Sequence, residues 1–122
     1  MKTKPLNAVN RKLPNFTISL NKRTTVNAHE VRLLEADINY TTVHFETGNT
    51  LVVATTLKKI EPLLEELNFM RIHKKYLLNL HYAKDSVLSK DTITLQNNIE
   101  IKVSRRKRVE LKKKLSDSRN PK

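Results

Sequence analysis

One glycine, Gly48, stands in a chain of 122 residues, and that scarcity limits the backbone shapes the chain can build. Nucleotide-binding folds cradle phosphate in glycine-rich loops, where several backbone N–H groups approach the anion with no Cβ in the way. A chain with one glycine makes no such loop, so no nucleotide cofactor is expected. Gly48 and Asn49 instead lie between two β-rich runs, 40–46 and 51–54. A two-residue Gly-Asn link between such runs is a hairpin signal, because glycine accepts positive φ.

The rest of the chain is mostly in the same short-strand idiom. Phe16, Ile18 and Leu20 alternate with Thr17 and Ser19, the period of a half-buried strand, and Asn21 and Lys22 follow as a turn. Residues 31–36 form another strand, connected by 37–39 to the run 40–46, in which Thr42, His44 and Glu46 alternate with Val43 and Phe45. From Leu57 the period changes. Leu57, Ile60, Leu63, Leu64 and Leu67 recur at three and four, which predicts a helix over 56–67 with Thr55 or Thr56 as N-cap. Pro62 fits if the regular helix begins near Lys59, where a first-turn proline removes no hydrogen bond; otherwise it kinks the segment.

Beyond the helix, 69–72 and 76–80 are β-like, separated by His73, Lys74 and Lys75. Runs 87–88, 92–95 and 99–103 follow, the last two joined by a hairpin at 96–98. Ser104 caps a final helix with a narrow apolar face of Val109, Leu111 and Leu115. About eight or nine short strands with one solid helix make the fold class mainly β. A helix-turn-helix protein needs a three-helix core, and an α/β enzyme needs regular alternation.

The 24 Lys and Arg against 12 Asp and Glu give a net charge of +12, and its distribution is uneven. Residues 1–23 carry six basic and no acidic side chains, 24–68 carry three and seven, and 69–122 carry fifteen and five. Basic ends around an acidic middle suit a polyanion-binding face better than a charge spread for solubility. The absence of cysteine excludes a disulfide framework and thiolate-bound zinc, and makes a cytoplasmic chain the economical expectation. No apolar run is long enough to span a membrane, and the N-terminus lacks the apolar stretch of a signal peptide. Residues 1–14 and 116–122 read as flexible tails, leaving a folded domain at 15–115.

Two basic clusters stand out. In Ser104-Arg105-Arg106-Lys107-Arg108, four cations occupy the first turn of the expected helix, where the dipole opposes each by about 0.3–1 kcal/mol. That placement is most tolerable facing phosphates, which both the helix N-terminus and the cations attract; the plainer reading is a solvated basic helix start. Arg105 or Arg106 can also pair with guanine O6 and N7. Arg71, His73, Lys74 and Lys75 form the second cluster, held between apolar runs; its plainer role is protection of a sheet edge from strand addition. His44 and Glu46 share a strand face but are too few for a metal site, and the other histidines lack ligand spacing. Glu61, Glu65 and Glu66 form a helix's outer face with no sign of a catalytic pocket, so neither metal nor enzymatic activity is expected.

The order of these motifs resembles the LytTR DNA-binding domain, the output module of many bacterial response regulators. The resemblance is carried by Val31-Arg32-Leu33-Leu34-Glu35-Ala36-Asp37-Ile38-Asn39-Tyr40-Thr41-Thr42, Gly48, Leu57 and Leu64, by Phe69-Met70-Arg71-Ile72-His73-Lys74-Lys75-Tyr76-Leu77-Leu78-Asn79, and by Val103-Ser104-Arg105-Arg106. It implies an elongated fold of short β-strands in small sheets with one or two short α-helices. It also implies sequence-specific binding of double-stranded DNA, with loops inserted into successive major grooves over paired imperfect direct repeats at promoters.

Carried over by position, the resemblance assigns base-edge contacts to Thr41, Lys74 and Arg105. Arg71, His73, Lys75, Ser104 and Arg106 would hold the DNA backbone, with Asn39 and Tyr40 shaping or contacting from the first loop. The sequence departs from common family patterns at Ile38, often glycine, at Lys75, often small and polar, and at Lys102, often proline, so no target sequence carries over. With only a short basic stretch before the first strand, the expectation is a stand-alone module without a receiver domain. Its control by abundance, by pairing as a homodimer on DNA or by a regulatory protein partner stays open. The competing readings are a small RNA-binding protein of ribosomal type, for which no aromatic stacking platform is visible, and a nuclease using His73 or His81, for which no acidic metal cluster is visible.

Overall fold

The computed structural model describes residues 17–83, 86–95 and 99–119, the last three by backbone alone. The expected tail at 1–14, the strand start at Phe16 and the hairpin link at 96–98 lie outside the described residues.

Ten short strands and two α-helices follow one another along the described chain: β1 (Thr17–Ser19), β2 (Thr25–Asn27), β3 (Val31–Asp37), β4 (Tyr40–Phe45), β5 (Thr50–Val53), α1 (Leu57–Leu64), β6 (Phe69–His73), β7 (Tyr76–Asn79), β8 (Val87–Leu88), β9 (Thr92–Thr94), β10 (Glu100–Lys102) and α2 (Arg105–Arg119). The class is mainly β, in small antiparallel sheets. A five-stranded sheet runs β5-β4-β3-β7-β6, a three-stranded one β10-β9-β8, and β1 pairs with β2.

Alternation along the strands sends side chains to two separate cores on opposite faces of the five-stranded sheet. Leu34, Val43, Val53 and Leu77 pack with Leu57, Ile60 and Leu64 of α1 and with Leu20 and Val26. Leu33, Ile72 and Leu78 pack with Ile93 and Ile101 of the smaller sheet and with Leu111 and Leu115 of α2. The consecutive pair Leu33 and Leu34 thus serves both cores from one strand. Val109 is 72% exposed, a correction to the expected apolar face of the last helix: Leu111 and Leu115, four apart, define the buried stripe, and Val109 points away from it. The helix continues to Arg119, past the expected end of the folded part.

Three local details also differ from the sequence reading. The link from β4 to β5 is the four residues 46–49, with Gly48 N–H donating to Phe45 O and Phe45 N–H to Asn49 O, both at 2.9 Å; Gly48 takes φ +97°. It is thus the left-handed residue of a longer hairpin loop and not half of a two-residue link. Helix α1 begins at Leu57, so Pro62 lies beyond its first turn, where it removes the bond to the carbonyl four residues back. The α-helix ends two residues later, tightens into a 3-10 turn at Glu65–Leu67 and closes on Asn68 at φ +70°. Strand β2, absent from the sequence reading, pairs Val26 with Ile18.

Candidate nucleic-acid interface

Two backbone hydrogen bonds gather three separate segments at one end of the five-stranded sheet. Ala36 N–H donates to Lys75 O at 2.8 Å, which sets the β3–β4 hairpin beside the β6–β7 turn. Ser104 N–H donates to Ile72 O at 2.7 Å, which sets the start of α2 against the end of β6. The tip residues Asn39 and Tyr40, the turn residues Lys74 and Lys75, and the helix residues Arg105 and Arg106 are thereby brought together, and all six are exposed. No carboxylate among the described residues pairs with Lys74, Lys75, Arg105 or Arg106.

Arg71 has a different role from the phosphate contact expected of it. Its guanidinium turns back onto the protein, with Nη1 donating to Glu61 Oε1 at 2.7 Å, Nε to His73 O at 2.9 Å and Nη2 to Lys74 O at 2.6 Å. A planar fork suits such a three-way tie. Arg71 therefore splints the turn that presents Lys74 and Lys75, and is a positioning residue.

His73 completes that turn. Its Nδ1 accepts the Lys75 N–H at 3.1 Å, an acceptor role that leaves the ring's other nitrogen as the N–H donor when neutral. Burial, together with the positive charges of Lys74, Lys102, Lys75 and Arg71, lowers its pKa from the usual imidazole value, which favours the neutral ring. Its ring lies 5.7 Å from that of Tyr76, centroid to centroid.

Thr41 is a correction. It is fully buried, and its hydroxyl donates to Thr55 O at 2.6 Å, so it offers nothing to a base edge. Register explains this, because Thr41 pairs with Val53 across β4 and β5 and shares the inward face of Val43. The exposed positions at the tip of the first hairpin are Asp37, Ile38, Asn39 and Tyr40.

The basic run opening α2 divides in two. Ser104 Oγ accepts the Lys107 N–H at 3.3 Å, and Ser104 O accepts the N–H groups of Lys107 and Arg108, so Ser104 is the N-cap. Lys107 pairs with Glu110 at 3.7 Å, and Arg108 Nε donates to Ser89 O at 3.1 Å. Arg105 and Arg106 remain directed outward at the positive end of the helix. Lys102, noted in the sequence only as a departure from family pattern, is exposed two residues before Ser104, whose N–H bonds Ile72 O. Its outward direction is legible in the alternation of Ile101 and Val103 around it.

His44 and Glu46, paired on one strand face in the sequence, are engaged with other partners. His44 pairs with Glu35 at 3.0 Å, while Glu46 accepts from the Tyr82 hydroxyl at 3.1 Å; the two do not form a common site. The described residues contain no cluster of three His, Asp or Glu placed to hold a metal ion, and no described helix is long and apolar enough to cross a membrane.

Residues 21–116 match the family model of the LytTr DNA-binding domain. The chain belongs to that family, whose defining activity is DNA binding. The fold is also similar to a solved LytTr DNA-binding domain, described as part of a methyl-accepting/DNA response regulator from Bacillus cereus. The two are 23% identical with a TM-score of 0.63, over 84% of this chain and 98% of that one; at this identity the likeness concerns the fold. No curated protein matches the chain.

Proposed function

We propose that this chain is a transcription regulator that recognises paired direct repeats in double-stranded DNA, presenting its three gathered segments to successive major grooves. The observation that carries the reading is the convergence of the exposed Lys74, Lys75, Lys102, Arg105 and Arg106 on one end of the sheet through the Ala36–Lys75 and Ser104–Ile72 backbone bonds. Cations without carboxylate partners on a rigid frame attract phosphate, while arginine and lysine also donate to guanine O6 and N7. In this reading Arg105 and Lys74 contact base edges. Lys75, Lys102, Arg106 and Ser104 hold phosphates, His73 donates through its ring N–H, and Asn39 and Tyr40 contact the duplex from the first hairpin. Two copies occupy the two repeats, as a homodimer formed on DNA. The test is selection from a random duplex library at about 150 mM salt, where non-specific attraction is weakened. Enrichment of a spaced direct repeat supports the reading; strong low-salt binding with no enriched sequence overturns it in favour of RNA or general polyanion binding.

A further inference from the structure

The tip of the β3–β4 hairpin is built against the ordinary preferences of its residues. Ile38 takes φ +53°, in the left-handed region where a β-branched residue is rarely found. It is the first of the two residues joining Asp37 to its partner Tyr40. Positive φ falls on Ile38 and not on Asn39, a pattern in which glycine commonly fills the first position. Ile38 is also 88% exposed and belongs to neither core. Strain and apolar exposure both oppose stability here, and the fold gains nothing from the side chain in return.

The neighbourhood indicates what the side chain meets. The Ala36 N–H to Lys75 O bond places the tip beside the lysine turn. The tip itself, Asp37-Ile38-Asn39-Tyr40, contains a carboxylate and no cation, so it is unsuited to gripping phosphate. Tyr40 adds a second apolar body, 51% exposed. An apolar tip carried onto DNA by flanking cations is matched not by the charged backbone but by the groove floor, and the apolar group displayed in the major groove is the thymine C5 methyl.

We propose that Ile38 is a specificity-determining residue, presented by the strained hairpin tip to the C5 methyl group of a thymine in the major groove. The inference rests on the DNA-recognition reading above. It is tested on the duplex that the full chain selects from a random library, with each thymine replaced in turn by uracil, which removes only the methyl group. One position should show about fourfold weaker binding, the factor associated with burying one methyl-sized group. Ile38→Gly and Ile38→Asn both suit positive φ and should fold as the parent chain does. Each should bind the thymine and uracil duplexes equally at that position. If uracil weakens no position, or weakens the same one equally in parent and variants, the inference is overturned while DNA recognition stands. If no sequence is enriched, sequence-specific recognition fails and the inference fails with it.

Discussion

Arg71 reaches from β6 to α1, where its Nη1 donates to Glu61 at 2.7 Å, and the same guanidinium holds the carbonyls of His73 and Lys74. One side chain thus ties the lysine-bearing turn to a helix packed on the opposite face from α2. Arg71→Lys keeps the charge and loses the fork. It should lower stability by about 1.5–3 kcal/mol, the range for hydrogen bonds to a charged group, and weaken binding at the selected site while leaving the salt dependence unchanged. Thermal unfolding and a salt titration check this. A phosphate contact would instead be largely preserved by lysine, and unchanged stability would remove the splint.

Arg105 tests base reading against backbone attraction. Arg105→Ala should cost about 1–3 kcal/mol on the selected duplex and little on random sequence. Binding isotherms on both duplexes separate the roles, since equal losses reduce Arg105 to a phosphate contact.

His73 links stability to pH. Its folded pKa lies below 6.5, so the unfolded chain takes up the proton first as the solution is acidified. The stabilising contribution is fully present above pH 6.5 and is lost as pH falls from there towards the folded pKa. His73→Asn should show a smaller fall in melting temperature between about pH 7.5 and 5 than the parent chain. Lys102→Ala, which removes one of the charges acting on the ring, should fall in between. Parallel curves for all three would count against the account.

Leu64 tests the core beneath α1. It is fully buried among the first cluster, and Leu64→Ala should destabilise by about 2–5 kcal/mol through the cavity it leaves. Chemical denaturation measures this directly, and a loss under about 1 kcal/mol would mean that the pocket collapses around the missing atoms.

Local periodicity made much of this fold legible. The alternation at 40–46 and 69–72, the three-and-four spacing of Leu57, Ile60 and Leu64, and the isoleucine and valine around Lys102 are patterns that neighbouring residues enforce on each other. The same alternation puts Thr41 on the inward face with Val43, so its burial was readable from period two even though family position suggested a base contact. What the sequence concealed depends on distant partners. Arg71 is equally basic whether it faces phosphate or Glu61, and only the approach of α1 to β6 decides. Val109 has the composition of a core residue but sits off the stripe of Leu111 and Leu115. The pairing of β1 with β2 needed knowledge of where the chain returns, which three-residue runs do not encode.

The bond from Ser104 N–H to Ile72 O belongs to the main chain, as does the one from Ala36 to Lys75, so the spacing among hairpin tip, lysine turn and helix start does not depend on which side chains they bear. Under the proposed reading, substitutions at Ile38, Lys74 or Arg105 exchange one preferred base for another while the main-chain bonds that space those positions stay as they are. In that reading a lineage carrying this fold changes its target one position at a time, on a frame that does not itself change.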